Sequence, residues 1–204
     1  MTPRERRPEV VLVRHGESEW SRSGRFAGRV DVALTARGRR EMEATRSSLS
    51  PWAFTAVLCS PLQRARDSCE LAGLGTAADV RPELIEWDYG TYEGRTTAEI
   101  AAERSGWSLW HEGAPAGETV ESVSTRVRPV VEELREASGD VAVFAHRDVL
   151  RVFTALWLHL PPEAGRLFAL STGSLSVLGH EGDVAAMIRW NEQVRTVEGA
   201  FTSG

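Results

Sequence analysis

Three short, largely apolar runs, at residues 10–13, 54–60 and 140–146, most constrain the fold of this chain. Such runs are typical of strands that are buried on both faces of a parallel sheet. Segments with helical signals lie between and after them. The alternation predicts an α/β fold, a three-layer sandwich in which a mainly parallel central sheet is flanked by helices.

The segments between these strands supply the other predicted elements. Residues 79–87 are expected to form a short extended piece, residues 107–117 a loop, and residues 174–190 a hairpin that turns at 181–183. Helices are predicted at residues 35–49, with Thr35 as the cap, and at 61–73, 96–106, 118–139, with a kink before Pro129, and 147–160.

The length of 204 residues fits one domain. We expect residues 1–8 to be a disordered N-terminal arm and residues 9–200 to be a single domain, with a lid at about 94–117. The arm has no apolar core of a signal peptide, and no run approaches the roughly 18 apolar residues of a membrane span. The prediction is a cytoplasmic protein whose two cysteines are reduced.

The charged residues exclude several classes of function. All 24 basic residues are arginine, which excludes a Walker A phosphate loop and a Schiff-base enzyme, because both need a lysine. The net charge of −5 gives no reason to expect binding to nucleic acid or to a membrane surface.

Chemically versatile residues follow the predicted strands. Ligands in open α/β sheets bind at the carboxyl ends of the strands, so the residues there are the candidates for a site. They are Arg14 and His15 after the first strand, Ser60 and then Arg64 after the second, Glu86 after the extended piece, and His146 after the third strand.

This set of side chains suits phosphoryl transfer. Two arginines can bind phosphate oxygens, a histidine can attack phosphorus, and a carboxylic acid can protonate the leaving group. Asp88 and Glu93 are alternatives to Glu86 as the acid, and Arg64 has the alternative of a surface helix residue. His15-Gly16-Glu17 could be a metal-binding pair or the start of a zinc-deaminase motif; that motif also needs a Pro-Cys-x-x-Cys, which is absent, and no metal site is predicted.

Six segments together resemble the histidine phosphatase, or phosphoglycerate-mutase-like, superfamily, and its small bacterial acid-phosphatase branch in particular. They occur in order along nearly the whole chain: LVRHGESEW (12–20), GRFAGRVDVALTARG (24–38), CSPLQRARDSCELA (59–72), LIEWDYGTYEG (84–94), PAGETVESV (115–123) and VFAHRDVLR (143–151).

The resemblance implies a role for each candidate. His15 would be the nucleophile that becomes phosphohistidine, and Arg14 and Arg64 would hold the phosphate. His146 would donate to the phosphate, and Glu86 would protonate the leaving group and then activate water. The implied substrate is a small-molecule phosphomonoester. The resemblance implies no metal or other cofactor, and the protein is expected to be a monomer or a homodimer.

Three positions depart from the common family pattern, and all lie among the residues expected to bind substrate. Arg147 stands where glycine usually follows the second histidine, Ser21 where Asn is common, and Ala27-Gly28 where Gln-Gly or Thr-Gly is frequent. Arg147 could add positive charge over the pocket or pair with an acid outside it, and the second alternative is favoured.

The lid bears on the choice between a phosphatase and a mutase. The span from Gly94 to Gly117 is short, and Arg95 and Arg104 are its basic residues, which favours a phosphatase. A cofactor-dependent phosphoglycerate mutase and a catalytically weak phosphate-binding protein are the alternatives. Trp107 and Trp110 could form a hydrophobic wall beside the leaving group, or they could pack the lid onto the core. The second alternative is favoured.

Overall fold

Six strands form one mixed sheet in a computed structural model, which describes residues 7–194. The strands are β1 (Val10–Arg14), β2 (Ala56–Cys59), β3 (Ala78–Val80), β4 (Val141–Ala145), β5 (Ser174–Glu181) and β6 (Val184–Gln193). Their order across the sheet is β3-β2-β4-β1-β5-β6. Residues 1–6 of the expected arm and residues 195–200 of the expected domain lie outside the described residues.

Seven α-helices lie between and beside these strands in the described part of the chain. They are α1 (Glu19–Arg22), α2 (Ala36–Leu49), α3 (Gln63–Leu71), α4 (Thr97–Glu103), α5 (Leu109–Glu112), α6 (Val120–Arg135) and α7 (Arg147–Trp157). Short 3₁₀ helices occur at Gly75–Ala77, Pro82–Leu84, Gly90–Tyr92 and Pro162–Leu167. No helix within residues 7–194 is long and apolar enough to cross a membrane.

The parallel part of the sheet is built from the apolar runs. Strand β4 pairs in parallel with both β1 and β2, and β2 pairs in parallel with β3. On the other side, β1, β5 and β6 pair antiparallel. The predicted α/β sandwich with a mainly parallel sheet is confirmed.

The central strands bury both of their faces. Every residue of β1 and β4 is buried, which explains why their sequences do not alternate with polar residues. Val11 and Val13 face the core under α2 and α3, whereas Val10 and Leu12 face the core under α6 and α7. These two cores make the three layers.

One segment of the predicted lid differs from expectation. Residues 107–117 were predicted to be a loop because glycine and proline punctuate them, but Leu109–Glu112 forms a helical turn. Leu109 and Trp110 are buried there against the core, so tertiary contacts outweigh the local breakers. The hairpin is confirmed as a whole, and its strands extend to Gln193.

Two glycines let the segment after β1 pass against the start of α2. A Cβ atom on Gly16 would collide with the carbonyl oxygen of Gly38, and one on Gly38 would collide with the carbonyl oxygen of Glu17. Thr35 caps α2, as predicted, by accepting from the Gly38 amide at 3.0 Å. The close approach holds the segment that carries His15 against a rigid helix.

We expect Gly38→Ala to lower the free energy of unfolding by about 1–3 kcal/mol, because the added methyl group overpacks this contact. Alanine would otherwise stabilise a helix relative to glycine by roughly 1 kcal/mol. Urea unfolding measures the difference. The control is Arg40→Ala on the exposed side of α2, expected within about 0.5 kcal/mol of wild type. A stability gain in Gly38→Ala would contradict the packing argument.

Candidate active site

One small cavity, of about 50 Å³, lies at the carboxyl ends of β1 and β4. Of the residues that the sequence indicated, six line it: Arg14, His15, Ser21, Ala27, Glu86 and Arg147. Arg64, His146 and Gly28 do not line the cavity. His146 and Arg64 lie beside His15, and the Gly28 carbonyl accepts a hydrogen bond from Arg64.

His15 follows β1 and continues its pairing, since its amide donates to the Ala145 carbonyl at 3.0 Å. Its Nδ1 lies 2.7 Å from the carbonyl oxygen of Gly16, an acceptor, so Nδ1 carries the proton and Nε2 keeps its lone pair. Burial, and then the charges of Arg64 and Arg14, lower the pKa of His15 well below its usual value. The ring is therefore neutral and has a free nucleophilic nitrogen.

His146 follows β4 and faces His15, with the two ring centroids 5.1 Å apart. Its Nε2 lies 2.6 Å from the Ser60 hydroxyl oxygen, which also accepts from the Leu62 amide at 3.3 Å. The hydroxyl proton is free to donate to Nε2, which leaves the ring proton on Nδ1. That Nδ1 is buried and has no partner in the described part of the chain. Sequence reasoning noted Ser60 by position but missed this contact.

Arg64 lies in the first turn of α3 and is fully buried, at 0% exposure, so the alternative of a surface residue is excluded. Its Nη1 donates to the Val30 carbonyl at 2.9 Å. Its Nη2 donates to the carbonyls of Ala27 at 2.7 Å and Gly28 at 2.9 Å. The loop at 27–30 thus holds the guanidinium through backbone carbonyls. The alanine at position 27, where Gln or Thr is frequent in the family, does not change this contact, because the side chain takes no part in it.

Arg14 is buried beside His15 and donates through Nη1 to the Leu170 carbonyl at 2.6 Å. Burial, and then repulsion by Arg147, lower its pKa to about 10. Among residues 7–194, Nε of Arg14, Nε of Arg64 and Nδ1 of His146 are all buried without a partner. Buried donors are almost always paired, so three unpaired ones around one histidine suit an anion with several acceptor oxygens.

Glu86 is 3% exposed, and its carboxylate sits at the start of α7. One oxygen accepts from the amides of Trp87 and Val149, both at 2.9 Å, and the other accepts from the Asp148 amide at 3.2 Å. Burial and the charge of Asp148 raise the pKa of Glu86, against the lowering effect of the three amides.

The two alternative acids, Asp88 and Glu93, accept hydrogen bonds from backbone amides outside the cavity. One carboxylate oxygen of Asp88 accepts from the Gly90 amide at 2.9 Å. Glu93 accepts from the amides of Gly28 and Arg29, both at 3.0 Å. Neither carboxylate lines the cavity, whereas Glu86 does.

Asp148 is a buried acid beside the site that sequence reasoning did not select. It accepts from the Tyr89 hydroxyl and from Nη1 of Arg151, both at 2.6 Å, and from Arg147 through two nitrogens at 3.2 Å. Although burial raises its pKa, the charges of Arg147 and Arg151 bring the pKa below its usual value. An acid in the first turn of a helix is common, so the sequence carried no distinguishing signal.

Arg147 combines the two alternatives that the sequence left open, and Ser21 makes local hydrogen bonds. Arg147 pairs with an acid, Asp148, and also lines the cavity beside Glu86. The Ser21 hydroxyl caps α1: it donates to the Ser18 carbonyl at 3.0 Å and accepts from the Ser18 amide at 2.8 Å. Its hydrogen bonds are thus local ones, although the residue borders the cavity.

The two lid tryptophans pack against the core. Trp110 is 8% exposed and lies edge-on to Trp87, with ring centroids 5.4 Å apart, while Arg151 covers its other side at 4.7 Å. Trp107 lies edge-on to Tyr92 at 4.9 Å and donates through Nε1 to the Gly113 carbonyl at 3.1 Å. These contacts agree with a role in holding the lid on the core.

A family model and several known proteins match this chain over most of its length. The model of the histidine phosphatase superfamily (branch 1) matches residues 10–193. An acid phosphatase of Mycobacterium tuberculosis is 38% identical over 88% of this chain and 90% of its own length. A 2,3-bisphosphoglycerate-dependent phosphoglycerate mutase of Cytophaga hutchinsonii is 33% identical over 82% of this chain and 85% of its own.

A solved structure agrees with these matches. The product of an open reading frame of Mycobacterium tuberculosis superposes with a TM-score of 0.87 at 35% identity, over 92% of this chain and 99% of that one. The resemblance carried by the six motifs is confirmed, and with it the expectation of an enzyme.

We predict that inorganic phosphate binds to the wild type and that Arg64→Met weakens its binding at least about tenfold, because a charge-assisted hydrogen bond contributes roughly 1.5–3 kcal/mol. Isothermal titration calorimetry at neutral pH measures both dissociation constants. Arg66→Met is the matched control, because Arg66 is exposed on the same helix. Equal losses in the two variants would show a general charge effect and contradict the assignment.

Proposed function

We propose, since the chain belongs to the histidine phosphatase superfamily, that it hydrolyses a small-molecule phosphomonoester through a phosphohistidine on His15 and without a metal. The observation that carries the proposal is the set of three unpaired buried donors, on Arg14, Arg64 and His146, around a histidine whose Nε2 is free. The substrate phosphate supplies the acceptor oxygens that these donors lack.

In the first step, Nε2 of His15 attacks phosphorus and the bond from phosphorus to the ester oxygen breaks. Arg14, Arg64 and Nδ1 of His146 bind the phosphoryl oxygens as charge shifts among them. Glu86, whose raised pKa favours the protonated form, gives its proton to the departing oxygen. The carboxyl oxygen with the single, longer bond to the Asp148 amide is the one with room for that proton.

In the second step, water replaces the alcohol. Glu86, now a carboxylate, takes a proton from the water as its oxygen attacks phosphorus. The bond from phosphorus to Nε2 breaks, and the electron pair returns to His15. Inorganic phosphate leaves, and Glu86 has regained its proton.

The lid supports hydrolysis over a mutase reaction. The cofactor-dependent mutases are expected to bind the carboxylate of a phosphoglycerate with added basic residues of a longer lid. Here Arg95 pairs with Glu103 at 2.6 Å and Arg104 pairs with Glu112 at 2.5 Å. Neither arginine lines the cavity.

The proposal takes residues 9–200 as one catalytic domain with a lid at 94–117, active in the cytoplasm as a monomer or homodimer. These features remain predictions from the sequence.

We expect His15→Asn to lower kcat at least about a thousandfold, because the variant lacks the nucleophile. Intact-protein mass after brief mixing with 4-nitrophenyl phosphate and quenching in base should show one added phosphoryl group in the wild type alone. His159→Asn is the control: His159 is exposed with φ of 57°, a conformation that asparagine tolerates. Isomerisation of 3-phosphoglycerate that depends on 2,3-bisphosphoglycerate would instead identify a mutase, and absence of any adduct would reject the intermediate.

We expect Glu86→Gln to lower kcat/KM for phenyl phosphate about 100-fold or more, but for 4-nitrophenyl phosphate less than about tenfold, because 4-nitrophenolate leaves without a proton. In the wild type, kcat/KM for phenyl phosphate should fall as the pH rises through the raised pKa of Glu86, since the carboxylate cannot donate. The variant should lack that alkaline limb. Equal losses for the two esters would count against Glu86 as the acid.

A further inference from the structure

The cavity of about 50 Å³ beside His15 is the proposed phosphate cavity. A second cavity, of about 230 Å³, lies next to it. Phe26 and Arg147 line both cavities, so these two side chains form the boundary between them. The rest of the second cavity is bordered by Trp107, Leu109, Trp110 and Asp148, together with Thr97 and Ser108. A group attached to the phosphate would therefore extend past Phe26 and Arg147 into this space.

The apolar part of the second cavity's wall is formed by three aromatic side chains and Leu109, and the aromatic rings make contacts of their own. Phe26 lies edge-on to Trp107, with ring centroids 6.1 Å apart, and stacks obliquely on Tyr89 at 4.6 Å. An apolar cavity of about 150 Å³ can hold a benzene molecule, so this one has room for a ring-sized group.

Arg147 supplies the charge at the boundary. Its Nε and one terminal nitrogen donate to the carboxylate of Asp148, whereas Nη1 has no hydrogen-bond partner among the described residues. The side chain is 41% exposed. One nitrogen of a firmly held guanidinium is thus available to a ligand.

The surrounding charges leave this boundary positive. Arg147 and Arg151 share the single buried carboxylate of Asp148, so one positive charge is left over. Arg14 also lies close enough for Arg147 to lower its pKa. A negative group on the ligand would relieve this repulsion. Asp148 takes Nε–H and one N–H of Nη2, so the end-on pair of Nη1 and Nη2 still has N–H groups to offer, and this pair suits the two oxygens of a carboxylate.

We propose that the second cavity binds the leaving group and that Arg147 selects esters whose leaving group carries a carboxylate on an apolar, ring-sized body. The inference rests on the proposed function, because the phosphate site defines where the leaving group lies. Arg147 is in this view a specificity-determining residue, and Asp148 positions it.

Binding of three phosphonates tests the inference without any need for turnover, because their C–P bond is not hydrolysed. The probes are benzylphosphonate and its 3- and 4-carboxy derivatives, titrated by calorimetry at neutral pH. We expect the wild type to bind one carboxy isomer at least tenfold more tightly than benzylphosphonate, and Arg147→Met to reduce that ratio below threefold. Arg147→Lys, which keeps a charge, should retain a ratio above that of the Met variant.

Arg25→Met is the matched control, because Arg25 lines the phosphate cavity but not the second one. Its ratio should stay within twofold of the wild type. A wild-type ratio below twofold, an unchanged ratio in Arg147→Met, or failure of all the phosphonates to bind would overturn the inference.

The same titrations separate this inference from the proposed function. A carboxylate preference that depends on Arg147, in a protein that forms no phosphohistidine, would support the subsite and reject the catalytic proposal. Turnover of neutral and carboxylated aryl phosphates at equal kcat/KM, together with equal phosphonate binding, would support the phosphatase and reject the role of Arg147.

Discussion

The arrangement of the site depends on the backbone carbonyls that accept hydrogen bonds from the buried guanidinium of Arg64. Moving a charged group out of water is costly unless hydrogen bonds offset the loss, and Arg64 donates three to the backbone carbonyls of the loop at 27–30. His15 and His146 stay neutral because burial, and then the positive charge of Arg64, lower the pKa of each ring well below its usual value. The same cation leaves its Nε for a ligand. One set of backbone contacts thus supports both the proposed nucleophile and the proposed anion site.

The start of α7 organises the opposite wall. His146 occupies the capping position, and the next two amides after Arg147, those of Asp148 and Val149, hold the Glu86 carboxylate. The side chain of Asp148 turns inward and fixes Arg147. A single helical turn therefore positions the second histidine, the acid and the charge at the boundary of the second cavity. A change at one of these residues is expected to affect the other two, since they share backbone and partners.

The sheet brings these parts together from distant positions in the chain. Strands β1 and β4 are parallel neighbours, so His15 and His146 end at the same edge and face each other at 5.1 Å. Strand β2 lies on the other side of β4, which places Ser60 against His146 and delivers Arg64 one turn later. Because both faces of β1 and β4 are buried, the ends of these strands are held rigidly, as a reaction that depends on positioning requires.

Apolar runs and family motifs were enough to predict the α/β sandwich, its three central strands and the side chains that meet at their ends, because burial on two faces and chemistry at strand ends leave a direct mark on the sequence. The helical turn at Leu109–Glu112, the contact of Ser60 with His146 and the pairing of Asp148 with Tyr89, Arg147 and Arg151 left no such mark. Each of these depends on partners far apart in the chain, and a hydrogen bond, a proton position or a pKa is decided by neighbours that only folding brings within reach. The residue types were therefore readable in advance, whereas their protonation, their partners and the second cavity followed from the tertiary structure.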